Sequence, residues 1–587
     1  MKKHYETHVE DTDKLISVAG PVLDYKSWYE QYRKLMEEQA QRKYGLYTPT
    51  SEGDDDDFPS IPGITARYSA LGLTNEQMAA NPVWKNLTGN GHDLQMKNFS
   101  WKGMSGVGGY VGDFSKWVNN RDTTEIGITK SNSKVIIDVK VSQGSGKNIV
   151  FISKSNLGIS NNVTIKITST YPEGVMKFAN SASNKYLKLP SNGIITLQDN
   201  PEYTSNEMHL HLASADLGQI TIEQLPLYPG ALVFDGVDDY GTCNNFPILT
   251  KEKGYTVVAL RQWITRGEIA QGLVSNVKNW LKDGAFLLEY RNIQADHLNK
   301  PISFGAIGSE MDLPHILTYQ TSKSYNGVSI TTGNFEGTDV LHVGKLAPTN
   351  VGTCINAAIW ELVFLDHDAT EEELTKIKDY FIKTYPWLFP NQAWTVTGKT
   401  NQDEDRATIA NITGNGNDLV LSNFGFIEGS GYNEEGEYAG YLVTDGVDDK
   451  IVSSVFGMGK DFTIVGDWKF IDNKKSGTGL VKGSSFYIYN TMIGLDLYIN
   501  SGSVKNSLDG IKSINAACSD GRAYDRNWNE ILANTGNVVG SGGMLEVSSS
   551  GGRFDRIAFK NLAIYPRILS KDDCIKAYNY LQTLKSK

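Results

Sequence analysis

Residues 231–239 read ALVFDGVDD, and residues 441–449 read YLVTDGVDD. Each is an apolar run that stops at Asp-Gly and continues into two more aspartates. Gly accepts positive φ and the first Asp can bond the backbone amide two residues on, so both stretches read as a strand entering a tight turn. Two occurrences make this a repeat, and its surroundings repeat as well. Upstream, residues 86–99 read NLTGNGHDLQMKNF and residues 411–424 read NITGNGNDLVLSNF, 325 positions apart, whereas the turns are 210 apart. Downstream, residues 362–365 (LVFL) precede Thr370 and Glu373, and residues 562–565 (LAIY) precede Ser570 and Asp573, now 200 apart.

The three blocks keep the same order, so one ancestral unit is duplicated. The spacing of 325 less 210 leaves about 115 extra residues between the first two blocks of the first copy. An insertion of domain size accounts for them, because insertions are tolerated at exposed turns where chain ends lie close. The expected organisation is an N-terminal helical arm with an acidic linker (1–60) and a first unit made of 61–112 with 231–390. An inserted β-sandwich follows at 113–230, and a second unit occupies 391–587.

Within each unit the apolar runs are short and bounded by Gly, Asn, Asp or Ser, as in 255–260 (YTVVAL) and 461–466 (DFTIVG). Regular spacing of such runs predicts antiparallel sandwiches. One helix closes each unit. Thr370 with Glu373 and Ser570 with Asp573 have capping-box spacing. Leu374, Ile377, Tyr380 and Phe381 follow at helical period, as do Ala577, Tyr580 and Leu581. The insertion is β-rich too, for example at 133–141 (SKVIIDVKV) and 162–168 (NVTIKIT). The arm differs: Tyr25, Trp28, Tyr32 and Leu35 form a 3-4-3 seam on a helix expected over 24–44, ended by Gly45. Residues 51–57 (SEGDDDD) read as a mobile acidic linker.

Composition narrows the function. Lys plus Arg is 56 against 67 for Asp plus Glu, a formal charge of −11, which argues against nucleic acid or an anionic membrane as partner. Gly is 58 of 587 and Tyr 29, which suits strands joined by tight turns. The N-terminus lacks the apolar core of a signal peptide, and no apolar run is long enough to span a bilayer. Four cysteines (Cys243, Cys354, Cys518, Cys574) are too few for a disulfide scaffold and read as reduced thiols.

The residues 234–240 (FDGVDDY) and 444–450 (TDGVDDK), with the Asn326-Gly327 turn and the strand before each closing helix, resemble laminin-G/concanavalin A-like domains. The resemblance covers about two-thirds of the chain. It implies a mainly β fold of two jelly-roll sandwiches that bind glycans or proteins, sometimes through calcium. The whole arrangement of helical arm, acidic Gly- and Asn-rich chain and duplicated sandwiches resembles a fibre or decoration protein of a tailed bacteriophage. That implies a virion location, contacts with other virion proteins through the arm, and a homo-oligomer, with trimers common among fibres.

Chemistry is sparse in the sequence. HExxH and GxSxG are absent, and residues 144–148 (GSGKN) lack both the first Gly and the Ser or Thr of a phosphate loop. Residues 310–315 (EMDLPH) begin like a glycosidase carboxylate pair, but His315 stands where the last Glu belongs. Asp235, Asp238, Asp239, Asp445, Asp448 and Asp449 have two readings: turn caps bonded to backbone amides, or hard oxygen ligands for calcium. Trp280, Tyr524 and Trp528, with Asp525 beside them, are candidate glycan platforms, since sugar C–H faces stack on rings. The combined expectation is a structural and adhesive virion protein without enzymatic activity. A polysaccharide-degrading enzyme and a purely architectural subunit are the alternatives.

Overall fold

The computed structural model describes residues 57–586, except 122, 143–146, 181–184, 198–202, 251, 266–270, 277–286, 291–316, 330–337, 346–353, 458, 473–477, 483–485, 491–493, 500–506, 510–513, 533–541, 548, 551–552 and 555. The expected arm, the residue 310–315 motif, most of residues 144–148 and Trp280 lie outside the described residues. All the described strands and helices belong to one compact unit, Phe58–Lys587.

The structure is mainly antiparallel β. In the first sandwich, one sheet runs Val328–Ser329, Ser324–Tyr325, Leu317–Thr321, Thr256–Trp263, Asn356–Leu365, Leu232–Asp235, Gly106–Val107. Ile64–Ser69 also pairs with Asn356–Leu365. The facing sheet runs Leu287–Tyr290, Gln271–Ser275, Leu341–Val343, Tyr240–Cys243, Leu94–Lys97, Val83–Trp84. The last third of the chain repeats this order strand for strand. Its first sheet runs Glu530–Leu532, Arg522–Asp525, Ile514–Cys518, Thr463–Asp472, Arg556–Tyr565, Tyr441–Val443, Gly431–Asn433, with Gln392–Thr395 also on Arg556–Tyr565. The second runs Phe486–Asn490, Thr478–Lys482, Gly542–Val547, Lys450–Gly457, Leu419–Ser422, Thr408–Ile409, and carries two further edge strands.

The central strands Asn356–Leu365 and Arg556–Tyr565 are almost continuously apolar because both of their faces are covered. Ala357, Ile359, Leu362 and Phe364 face the core between the two sheets of the first sandwich. Ala358, Trp360, Val363 and Leu365 face outward, into a second apolar cluster shared with the last third of the chain. That cluster holds Tyr385 and Trp387 beside Tyr524, Trp528, Tyr565, Tyr578 and Leu581. Each such ring contributes roughly 1.5–3 kcal/mol on burial. The two closing helices, Glu371–Thr384 and Lys571–Gln582, supply much of this layer. Thr370 and Glu373 form a full capping box. At the second helix the Ser570 hydroxyl accepts from the Asp573 amide. Asp573, one methylene shorter than Glu, takes the Ser570 hydroxyl proton rather than the backbone amide.

Residues between Gly109 and Leu227 form a third sandwich of two five-stranded sheets. Its core, from Phe114 and Trp117 to Ile220 and Ile222, is separate from the others. The chain enters and leaves it on a short ladder: the Tyr228 amide donates to Gly108 O at 2.8 Å, and the Leu227 amide to Gly109 O at 3.0 Å. Thr164 and Pro226 then bond Asn579 on the last helix, at 2.9 and 3.3 Å. The four cysteines are buried free thiols, and no described helix is long and apolar enough to cross a membrane.

Candidate functional site

The repeated turn is built identically in both copies. Asp235 ends its strand, and its Oδ1 accepts from the Val237 amide at 2.8 Å. Asp445 does the same for Val447, at 2.8 Å. Gly236 and Gly446 between them have φ of 81° and 74°, a region that favours glycine. At Gly236 a Cβ would also meet Asn356 Cβ at 2.8 Å. The last aspartate of each turn folds back inside. Asp239 Oδ2 accepts from the Asp235 amide at 3.0 Å and Oδ1 from the Ser105 hydroxyl at 3.0 Å. Asp449 accepts from Asp445 at 2.8 Å and from Ser430 at 3.0 Å. Asn98 and Asn423, both at φ 68°, donate to the carbonyls of Asp238 and Asp448.

These bonds tie the first repeated block to the second, across about 115 inserted residues in one copy and none in the other. Asn98 and Asn423 lie within the aligned blocks 86–99 and 411–424 but were given no role there, whereas Ser105 and Ser430 lie just beyond them at the same 325 spacing and could have been found by extending the alignment. Asn86 and Asn411 open the aligned blocks, and the structure gives them a role the sequence reading did not. Asn86 Oδ1 accepts from the Arg67 amide at 2.9 Å, and its own amide donates to Asp93 at 2.9 Å. Asn411 repeats this with Ala393 and Asp418, at 3.2 and 2.8 Å. The NxTGNGxDL block is thus a loop organised around one asparagine.

Electrostatically the turns are strained in the same way. In each, three carboxylates lie close enough for one oxygen of each to fall within 4.8 Å of the others. Asp239 and Asp449 are fully buried. Burial pushes their carboxyls up to about 7 and about 6, partly offset by the backbone and serine donors. Asp235 and Asp445 are half-buried, and Asp238 and Asp448 exposed. This donor set is of the hard type calcium takes, but both oxygens of each buried aspartate already accept protein hydrogen bonds. The geometry accounts for these aspartates as turn caps and staples.

The expected aromatic platforms are corrected. Tyr524 and Trp528 have no exposed surface. The Trp528 ring lies 5.6 Å from Tyr578, inside the shared apolar cluster. Trp528 reaches there from a polar turn because it adopts φ 59°. Asp525 holds that turn, with Oδ1 accepting from the amides of Asn527 and Asn529, both at 2.8 Å. The polar run around Trp528 is therefore turn chemistry over a buried anchor.

No family model matches this chain, and no curated protein matches it. Among solved structures it is similar to Trypanosoma rangeli sialidase in complex with the inhibitor DANA, at 9% identity and a TM-score of 0.25, covering 77% of this chain and 62% of that one. It is similar to the same sialidase in complex with sialic acid, at 10% identity and TM-score 0.25, covering 78% and 85%. It is also similar to the Botulinum neurotoxin serotype D binding domain, at 11% identity and TM-score 0.22, covering 59% and 89%. Sialidases are enzymes, so the expectation of a protein without enzymatic activity is withdrawn. At these TM-scores no reaction, substrate or catalytic residue passes to this chain.

Proposed function

We propose that this chain is a structural and adhesive protein with two laminin-G/concanavalin A-like sandwiches, of the kind carried on the particles of tailed bacteriophages. Its N-terminal arm docks to other virion proteins, and its sandwiches meet a surface glycan. The observation that supports this reading is the apolar layer shared by the two copies. Burying Trp360, Trp387, Trp528, Tyr565 and Tyr578 in one cluster joins the sandwiches into a single stiff body. Bonds from Asn579 to Thr164 and Pro226 fasten the inserted sandwich to the same helix. A stiff body of several sandwiches presents its faces at fixed spacing, which suits multivalent contact with a repeating surface.

A glycan array probed with the full chain, with and without calcium, tests the adhesive part. Saturable binding to one saccharide class is the expected result, and no binding under either condition would overturn it. An image of the protein in its assembly tests the location, with the arm buried in a larger particle and the sandwiches outward.

A further inference from the structure

The inserted sandwich has a docked face and an open one. One of its sheets runs Asn192–Thr196, Thr164–Ser169, Gly218–Gln224, Lys134–Val139, Ile126–Lys130. Thr164 on this sheet bonds Asn579, and Ile194 packs against the apolar layer of the closing helices, so its outer surface is turned to the rest of the chain. The other sheet runs Lys185–Lys188, Met176–Asn180, Glu207–Leu212, Lys147–Ser153, Val118–Asn119. Met176, Phe178, Met208, Leu210, Val150 and Ile152 point from it into the core between the sheets. Side chains alternate across a strand, so the residues between these point outward, away from the docked sheet.

Cross-strand register sets one outward residue per strand in a single line. Tyr186 lies opposite Ala179, Ala179 opposite His209, His209 opposite Phe151, and Phe151 opposite Val118. The line crosses every strand of the sheet, a span of roughly 19 Å at about 4.8 Å per step. Its two ends stand open, with Tyr186 54% and Val118 44% exposed. Between them the Phe151 and His209 rings lie 5.5 Å apart, tilted by 34°. Asn120 at 3.3 Å and Glu207 at 3.5 Å hold the His209 ring in place. Beside this line runs a second, Lys188 opposite Lys177 and Lys177 opposite His211. The Lys177 ammonium reaches over the Tyr186 ring, 4.2 Å from its centre. Directly opposed like charges destabilise a sheet, so folding alone does not favour two lysines there. Glu207, opposite Ser153, lies on the other side of the aromatic line. An open row of rings thus carries a positive margin along one edge, on a chain whose formal charge is −11.

We propose that this open sheet face binds an extended acidic glycan, with sugar rings laid along Tyr186, His209 and Phe151 and anionic substituents turned to Lys177 and Lys188. The proposal rests on the glycan-contact reading, places that contact in the inserted sandwich and names its ligand class. Sugar C–H faces pack on aromatic rings, a flat row suits a chain rather than a single sugar, and ammonium groups recognise anionic substituents through charge-assisted bonds. A single-stranded nucleic acid would need a broader basic surface than two lysines on an acidic chain supply. The second copy lacks the insertion, so the face occurs once per chain.

The test is isothermal titration calorimetry on the full chain with tetragalacturonate, maltotetraose and oligothymidylate. Tetragalacturonate is expected to bind saturably and more tightly than the other two. Tyr186→Ala is expected to weaken that binding about fivefold, and Lys177→Gln combined with Lys188→Gln about tenfold. Melting temperatures should stay essentially unchanged, because these side chains lie on the outer face. Saturable binding that neither variant weakens would overturn the proposal and leave the broader glycan reading standing. Maltotetraose binding as tightly as tetragalacturonate would overturn the acidic half, and oligothymidylate binding more tightly than either would replace the glycan by a nucleic acid. Absence of binding to tetragalacturonate and to every acidic glycan on the array would also overturn the proposal. In that case a neutral glycan captured on the array would spare the broader reading, and a blank array would sink both.

Discussion

Replacing Asp239 separates a staple from a metal ligand. Asp239→Ala would leave the half-buried Asp235 amide and the buried Ser105 hydroxyl without their acceptor. A stranded buried donor costs ~1–3 kcal/mol, so the pair predicts a loss of roughly 2–4 kcal/mol. Asp239→Asn should cost much less, because its Oδ1 can accept from the Asp235 amide while its Nδ2 donates to Ser105, whose hydroxyl reverses its role. The pH response gives the sharper discrimination. A carboxyl raised to about 7 in the fold favours its neutral form there. Its contribution to stability is complete below the ordinary carboxylate value near 4 and is lost as pH rises through 7. The rise is worth ~4 kcal/mol undamped, and solvent beside the exposed Asp238 reduces it to ~2 kcal/mol. Urea unfolding followed by tryptophan fluorescence from pH 5 to 8 should show this slope in the wild type and a flatter one in Asp239→Asn. Equal losses for Asp238→Ala and Asp239→Ala, or an unchanged slope in Asp239→Asn, would refute the staple.

Three further outcomes are expected. Glu361→Ala should cost ~3–5 kcal/mol in urea melts, because Arg67, 5% exposed and bonded to Glu361 at 3.0 Å, would keep a buried charge without its carboxylate. Trp528→Ala should cost ~3–5 kcal/mol by opening a cavity against Tyr578; an unchanged midpoint with lost glycan signal would return Trp528 to the surface. Removing divalent cations with EDTA at pH 7.5 should leave the melting temperature unchanged, whereas a fall of several degrees would make calcium ligands of the six turn aspartates.

The fold class could be read because antiparallel strands leave short, turn-bounded apolar runs, and because duplication printed every signal twice. The closing helices announced themselves through Thr370 and Ser570. Other features left no local trace. Helix Asn75–Ala80, with its own Thr74–Gln77 capping box, has one buried residue, Met78, and so no apolar period to detect. Arg67 and Glu361 are nearly 300 positions apart, and only folding brings them together beneath Tyr380 and Tyr385. Trp528 misleads because its polar neighbours serve the turn while the indole serves the core.

Removing the third sandwich tests most directly whether it is a guest within the first. Chain ends that already pair, Gly108–Gly109 with Leu227–Tyr228, allow residues 111–225 to be replaced by a short Gly-Ser linker. Thermal unfolding and near-ultraviolet circular dichroism of that variant measure the dependence. A cooperative transition with the aromatic signal of the remaining core retained is the predicted result. A chain that no longer folds would contradict it.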